Sequence, residues 1–315
     1  MPPPYARRVR GSTRTAAGAS LRAMKIGHPV PVAPEILRVT CGNPSPLTGP
    51  GTNSYVIGRP GEAAAVVDPG PGDARHENAL RRAAGGRVAA VLVTHAHLDH
   101  SAGAAAFARS VDAPVLAFGA ATAGRLPEME ALAGTVGGGE GLDADFRPDR
   151  ALSDGEVVEI GGVRLEAIHT PGHFGGHLSF AIGDAVLSGD LVMGWATTLI
   201  SPPDGDLGRF RESCGRLRDR AASRLLPGHG EPVTDPAARI DALLAHRAAR
   251  DAQIVDALRS APGTPTELAA RIYDVVPALL PAAARNVLAH LLEQVREGRA
   301  VADGPPGPHA TFHPP

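Results

Sequence analysis

From Ile36 onward, short runs in which apolar residues alternate or fill the run give way repeatedly to longer stretches in which they recur every three or four positions. A period of two puts side chains on opposite faces of a strand, and a period near 3.6 gathers them on one face of a helix. Strands are accordingly predicted at Ile36–Thr40, Asn53–Gly58, Ala64–Asp68, Val88–Thr94, Pro114–Phe118, Val157–Ile160, Val163–Ile168, Leu178–Ile182 and Ala185–Ser188. Helices are predicted at Asp73–Ala84, Ala102–Ser110 and Leu207–Arg220. The stretch VVEIGGVRLEAI reads as a hairpin turning through Gly161 and Gly162. Strands that both pair in hairpins and alternate with helices predict a mixed α/β layered domain, here over residues 35–234.

Beyond residue 235 the texture changes. Asp235–Leu258 reads as one long alanine-rich helix, and APGTPTELAARIY and PAAARNVLAHLLEQVREGRAVADG supply two more and a short strand. Thr266 is the expected N-cap of the middle helix and Gly298 the stop of the last. Three helices and a small hairpin are the pattern of a winged helix, expected over residues 235–303. The proline-rich residues 304–315, GPPGPHATFHPP, read as an unstructured tail.

Composition narrows the field. At 315 residues and 43% hydrophobic the chain can bury a large core. No apolar run approaches the ~18 residues of a membrane-spanning helix, so no membrane partner is expected. Two cysteines, Cys41 and Cys214, provide no disulfide framework and read as buried thiols in a reducing, cytoplasmic setting. Six of the 31 basic residues and none of the 33 acidic ones fall in residues 1–34. That opening has the composition of a transit peptide or of a disordered, even untranslated, leader with Met24 as an alternative start. The second reading is preferred, and the segment is left out of the fold. The remainder carries 25 basic against 33 acidic residues, a formal charge of −8, which disfavours a nucleic-acid partner.

The chemistry sits in VAAVLVTHAHLDHSAGA, where four metal-ligand side chains follow directly on an apolar strand. His95 and His97, two apart in a loop, can face one ion. Asp99 and His100 then point to a second, since four donors so closely spaced hardly surround one tetrahedral metal. Imidazole and carboxylate without thiolate suit zinc, with manganese and iron also open. HTPGHFGGH, VLSGDLVMG and LLPGHGEP each follow a strand and bring glycine beside a further donor, so a site converging from separated loops is expected.

The ordered motifs THAHLDH, TPGH, SGD and PGHG resemble those of the metallo-β-lactamase fold superfamily. NPSPLTGPGTNSYVIG, GWATT and the C-terminal HRAARDAQIVDAL, LAARIY and ARNVLAHLLEQVREGR are similar to the β-lactamase-like protein 2 group, over roughly residues 36–302. The resemblance implies an αββα sandwich followed by the winged helix. It implies two zinc ions per chain, the first on His95, His97 and His173, the second on Asp99, His100 and His229, with Asp190 bridging. Asp68 would orient the histidine-rich loop. Of the neighbouring histidines, His169 reads as structural and His177 as a hydrogen-bond partner of the site; His76, His246 and His290 read as surface or core residues on helices.

A hydroxide bridging the two zincs would be the nucleophile, with Asp99 accepting its proton and Asp190 holding both ions. Relatives of this kind include thioesterases acting on carrier-bound acyl groups and single-strand-specific ribonucleases. Residues 247–301 hold seven Arg against six Asp or Glu, too even a balance to attract phosphates. An ester or acyl thioester, free or carrier-bound, is therefore the expected substrate, docking near Trp195, Thr197 and Thr198. An endoribonuclease and a non-enzymatic nucleic-acid-binding winged helix are the alternatives. A homo-oligomer is compatible with this reading.

Overall fold

The computed structural model describes residues 25–136 and 141–315. Seven strands form the first sheet in sequence order: β1 (Pro29–Ala33), β2 (Ile36–Thr40), β3 (Asn53–Ile57), β4 (Ala64–Val67), β5 (Val88–Leu92), β6 (Val115–Ala117) and β7 (Arg150–Ala151). The second has five: β8 (Val157–Ile160), β9 (Val163–His169), β10 (Leu178–Ile182), β11 (Ala185–Gly189) and β12 (Arg224–Pro227), in the order β12-β11-β10-β9-β8. Period-two patterning explains the packing. Tyr55, Ile57, Ala65, Val67 and Leu92 face Leu165, Ala167, Leu178, Phe180 and Leu187 between the sheets. Val56, Val66 and Val91 face outward onto α1 (Ala74–Ala84) and, after the one-turn α2 (Leu98–Ser101), α3 (Ala104–Val111). On the other outer face Ile168, Ala181, Val186 and Leu225 meet α5 (Leu207–Asp219) and the first half of α6 (Pro236–Ser260). The αββα expectation therefore holds.

The direction of the strands places the site. β4 and β5 are parallel; β9 and β11 run the same way because both are antiparallel to β10, and β12 is parallel to β11. The carboxyl ends of β9, β11 and β12 thus leave one edge of their sheet. The main-chain bond from Leu178 N to Thr94 O, 2.8 Å, and that from Asn53 N to Gly228 O, 2.7 Å, join that edge to the first sheet where β5 ends.

The C-terminal unit has its own core. Ile254 and Leu258 of α6, Leu268 of α7 (Pro265–Ile272) and Val287, Leu288 and Leu291 of α8 (Leu280–Arg296) pack around Phe312 and around Met129 of the short α4 (Pro127–Glu130). Here the structure corrects three expectations. The N-cap of α7 is Thr264, not Thr266: its hydroxyl accepts from Glu267 N while Glu267 bonds back to Thr264 N, and Pro265 fills the first helical position. Residues 304–315 are not a loose tail, because β14 (Phe312–His313) pairs antiparallel with β13 (Val301–Ala302) and buries Phe312 completely. Two-residue strands in a proline-rich stretch carry no period to read. Residues 29–33 of the expected leader form edge strand β1, whose two prolines suit an edge and disguise it, and Ile26 bridges Thr40; residues 1–24 lie outside the described residues. Among the described residues no helix is long and apolar enough to cross a membrane.

Candidate metal centre

Loops leaving one end of the sandwich converge on a cluster of ring nitrogens and carboxylates. His95 Nε2 lies 2.9 Å from His97 Nδ1, and His173 Nε2 lies 3.1 Å from that same atom. Beside this trio, His100 Nε2 is 3.4 Å from His229 Nε2 and 3.4 Å from Asp99 Oδ2, and His229 Nε2 is 3.3 Å from Asp99 Oδ2. Asp190 lies between the trios, its Oδ2 3.2 Å from His229 Nε2 and 3.9 Å from His173 Nε2, its Oδ1 3.6 Å from His100 Nε2. All seven side chains named from the motifs meet in one place.

The other ring nitrogen of four of these histidines is anchored, which fixes the tautomer. His173 Nδ1 donates to Leu199 O at 2.7 Å and His229 Nδ1 to Gly51 O at 3.2 Å. His100 Nδ1 donates to Asp68 Oδ2 at 2.9 Å. Thr94 Oγ1 gives its proton to Asp68 Oδ2, 2.7 Å, and so accepts from His95 Nδ1 at 3.0 Å. In the neutral ring these bonds select the tautomer whose Nε2 lone pair is directed into the cluster, the form that binds a metal. His97 is turned the other way and presents Nδ1.

Local sequence explains the close approach. A side chain at Gly228 would collide with Asp190 Oδ1 and come within 2.7 Å of His100 Cε1, and one at Gly189 (φ +47°) would strike His177 Nε2. His177 is not in the cluster: its Nε2 accepts from Asp190 N at 3.2 Å and its Nδ1 bonds Thr170 Oγ1 at 2.9 Å, so it supports the backbone of Asp190. His169 stacks on Phe118 at 4.1 Å and donates to Gly175 O. His76, read from sequence as a surface or core residue of a helix, is in the core, buried against Ser54 Oγ at 2.7 Å, and that hydroxyl bonds Asp68 O.

Electrostatics divide the cluster. Burial and neighbouring rings hold His95 well below the usual histidine range, and burial with His173 brings His97 down to about 3. Burial opposes protonation of His100 too, but Asp99, Asp190 and Asp68 outweigh it and raise it to about 9; the same carboxylates Asp190 and Asp99 lift His229 well above its usual value. Asp99 and Asp190 are held below the carboxylate range by His100 and His229 despite their burial.

The donor set fits metal ions. Donors about 2.0–2.1 Å from a tetrahedral ion lie roughly 3.4 Å from one another; the second trio has that spacing, and the first is a little tighter at 2.9 and 3.1 Å. Asp190 Oδ1 is buried with no hydrogen-bond partner, an acceptor awaiting a cation. A second group, Asp251, His290 and Glu293 between α6 and α8, is differently made. Its carboxylates are already engaged, Asp251 by Arg299 at 2.8 Å and Glu293 by Arg211 at 3.0 Å, so it serves as an ion network joining the helices.

Residues 47–229 match the metallo-beta-lactamase superfamily, and residues 264–305 the beta-lactamase associated winged helix domain. The chain belongs to the metallo-beta-lactamase superfamily. It is a metal-dependent hydrolase with an appended winged helix. A metallo-beta-lactamase family protein from Thermus thermophilus superposes with a TM-score of 0.73 at 26% identity, covering 90% of this chain and 99% of that one. A beta-lactamase domain protein from Burkholderia ambifaria, 22% identical, shares the fold with a TM-score of 0.74 over 92% of this chain and 94% of that one. The Beta-lactamase-like protein 2 homolog of Drosophila melanogaster is 27% identical over 84% of this chain and 89% of its own length. An Aspergillus fumigatus protein named atrochrysone carboxyl ACP thioesterase is 27% identical over 73% of this chain, which spans only 66% of that relative.

Around the hydrolase centre, the substrate residues expected from sequence fall in different settings. Trp195 is 41% exposed, packed beside Gly49 and Gly230, and Thr197 is exposed. Thr198 is buried, its hydroxyl donated to Leu191 O at 2.7 Å, so it does not face substrate as expected. Sequence reasoning missed Thr52, whose hydroxyl holds Asp99 Oδ2 at 2.9 Å. It also missed Arg38, Asn53 and Tyr55, which hang the His229 loop from the first sheet through Gly230 O and Pro227 O. Only TN in the NPSPLTGPGTN stretch hinted at these, because main-chain acceptors leave no mark in sequence.

Proposed function

We propose that the chain hydrolyses carboxylic esters, and acyl thioesters above all, with two zinc ions held by His95, His97 and His173 on one side and Asp99, His100 and His229 on the other, Asp190 between them. The observation that carries this is the pair of donor trios sharing Asp190. Divalent ions bound there supply Lewis acidity and acidify water. The protein's own part is to order what surrounds them. Asp99, the more open of the two carboxylates with its side chain 27% exposed, is placed at the mouth to take a proton on Oδ1 while Thr52 steadies Oδ2. Asp190 stays ionised, fixed through its N–H by His177.

Three features support an acyl substrate. Leu47, Leu98 and Trp195 are exposed apolar side chains, the first and last on loops beside the donors and Leu98 at the start of α2, and suit an acyl group better than a phosphodiester. The name of the fungal relative points the same way. The winged helix is poorly placed for nucleic acid: α8, the helix that would enter a groove, is largely buried, and its last-turn Arg296 is taken by Asp206 at 2.6 Å and Glu128 at 3.4 Å. The test is one panel of S-acyl pantetheine, p-nitrophenyl esters and single-stranded RNA, with chelator-stripped protein as control. Zinc-restored thioester turnover that changes little with salt is expected. RNA cleavage that outpaces every ester and falls ~10³-fold or more over a fourfold rise in salt would replace this reading with the ribonuclease.

A further inference from the structure

The loop from Leu191 to Ile200 joins Asp190 to the region behind His173, and it has no regular secondary structure. Six of its carbonyls are nonetheless engaged by side chains: those of Leu191, Val192 and Leu199 by Thr198, Ser188 and His173, and those of Met193, Ala196 and Thr198 by α6. Arg239 donates through Nε to Met193 O and through Nη2 to Ala196 O, both at 2.6 Å. Arg247 donates through Nη2 to Thr198 O and through Nη1 to Asn286 Oδ1 of α8 at 2.7 Å, with its guanidinium over the Phe210 ring. The two arginines are eight residues apart, a little over two turns, hence on one face. Arg247 is buried and Arg239 half-buried, and neither lies within ion-pairing distance of a carboxylate among the described residues.

Burying a cation without a counter-charge is costly unless its donors are satisfied. Surface ion pairs or apolar side chains would have secured α6 to the domain with a smaller desolvation penalty. What these guanidiniums gain is specific hold on three carbonyls of one loop, and that loop has two jobs. Next after Thr198 is Leu199, whose carbonyl fixes the His173 ring; between Met193 and Ala196 stands Trp195.

We propose that Arg239 and Arg247 are positioning residues, Arg247 acting on His173 through the Thr198–Leu199 backbone and Arg239 on Trp195, so that helix α6, outside the matched catalytic domain, is a working part of the metal centre. The His173 half rests on the metal reading above; the Trp195 half does not. Loss of Arg247 frees the Leu199 carbonyl to drift, and His173 loses the bond that fixes its tautomer and direction. Loss of Arg239 frees the Trp195 backbone on both sides of the ring.

Trp195 is the one tryptophan of the chain, so its fluorescence reports this loop alone. Arg239→Gln, Arg247→Met and Arg247→Lys are to be compared with the parent by acrylamide quenching in chelator-treated protein, by zinc affinity against a chromogenic chelator, and by thermal melting. Arg239→Gln is expected to raise the quenching constant about twofold, since a ring held at both flanks becomes as open as an untethered loop residue. Arg247→Met is expected to weaken zinc by about 10- to 100-fold, the usual loss when the support of a ligand is removed, with Arg247→Lys recovering part because an ammonium can still reach Thr198 O. If Arg247→Met does not fold, Arg247→Lys and Arg239→Gln still decide. Variants that melt earlier but keep the parent's quenching and zinc affinity would overturn the proposal and leave the arginines as fold stabilisers only. A parent that binds no zinc overturns the metal reading and the His173 half with it, while the quenching arm still decides the Trp195 half.

Discussion

Asp68→Asn tests the cluster through a residue that touches none of its metal-facing atoms. Asp68 is 2% exposed and accepts three hydrogen bonds: Thr94 N on Oδ1 at 2.7 Å, and Thr94 Oγ1 at 2.7 Å and His100 Nδ1 at 2.9 Å on Oδ2. Asparagine has the same outline and tolerates the left-handed backbone found there, φ +51°, so the main chain is not strained. It can accept on one oxygen only. With that oxygen kept on Thr94 N, the amide N–H₂ faces two donors, and His100 escapes the conflict by moving its proton to Nε2. An imidazole protonated on Nε2 cannot ligate through that atom. Losing one charge-assisted bond costs about 1.5–3 kcal/mol, or roughly 10- to 100-fold in zinc affinity at the second trio. Zinc titration against a chelator should show one ion bound as in the parent and one weakened by that factor, with the metal-free protein still folded by circular dichroism. Two ions bound with parental affinity would refute both the tautomer argument and the assignment of His100.

Three further outcomes are expected. Gly228→Ala places a methyl group against Asp190 Oδ1 and His100 Cε1, so metal content and turnover should fall at least ~10-fold while the fold persists; unchanged zinc stoichiometry would count against it. Phe312→Ala empties a fully buried aromatic site in the helical core and should cost about 3–5 kcal/mol by denaturant unfolding, where a loose tail would cost nothing. Burial drives His76 down to about 4 from 6.5, so the unfolded chain takes up its proton first: the contribution, about 3 kcal/mol, is complete above pH 6.5 and is lost as pH falls from there to about 4. His76→Gln should flatten that part of the stability profile, and an unaltered profile would show that other groups govern it.

By itself the sequence determined nine strands of the sandwich, the main helices and the identity of the donors. Period-two runs such as Val163–Ile168 and the spacing of THAHLDH are local, and a strand that ends in His-x-His-x-Asp-His commits those residues wherever the chain goes. The even charge over residues 247–301 is equally local, and it is the ground for expecting no nucleic-acid partner. Tertiary structure decided what depends on long-range approach. Which nitrogen each histidine presents is fixed by partners up to 178 residues away, as with His229 and Gly51, and main-chain acceptors are the same in every sequence. Thr198 looked like a cleft residue because it comes soon after Asp190, yet the loop turns it inward. Phe312 lay in a stretch too short and proline-rich to show a period, and only the groove between α6, α7 and α8 gave it a place. Arg239 and Arg247 carry no mark of their own in the long alanine-rich helix, because one-body patterns record what a residue is and not which carbonyl it meets.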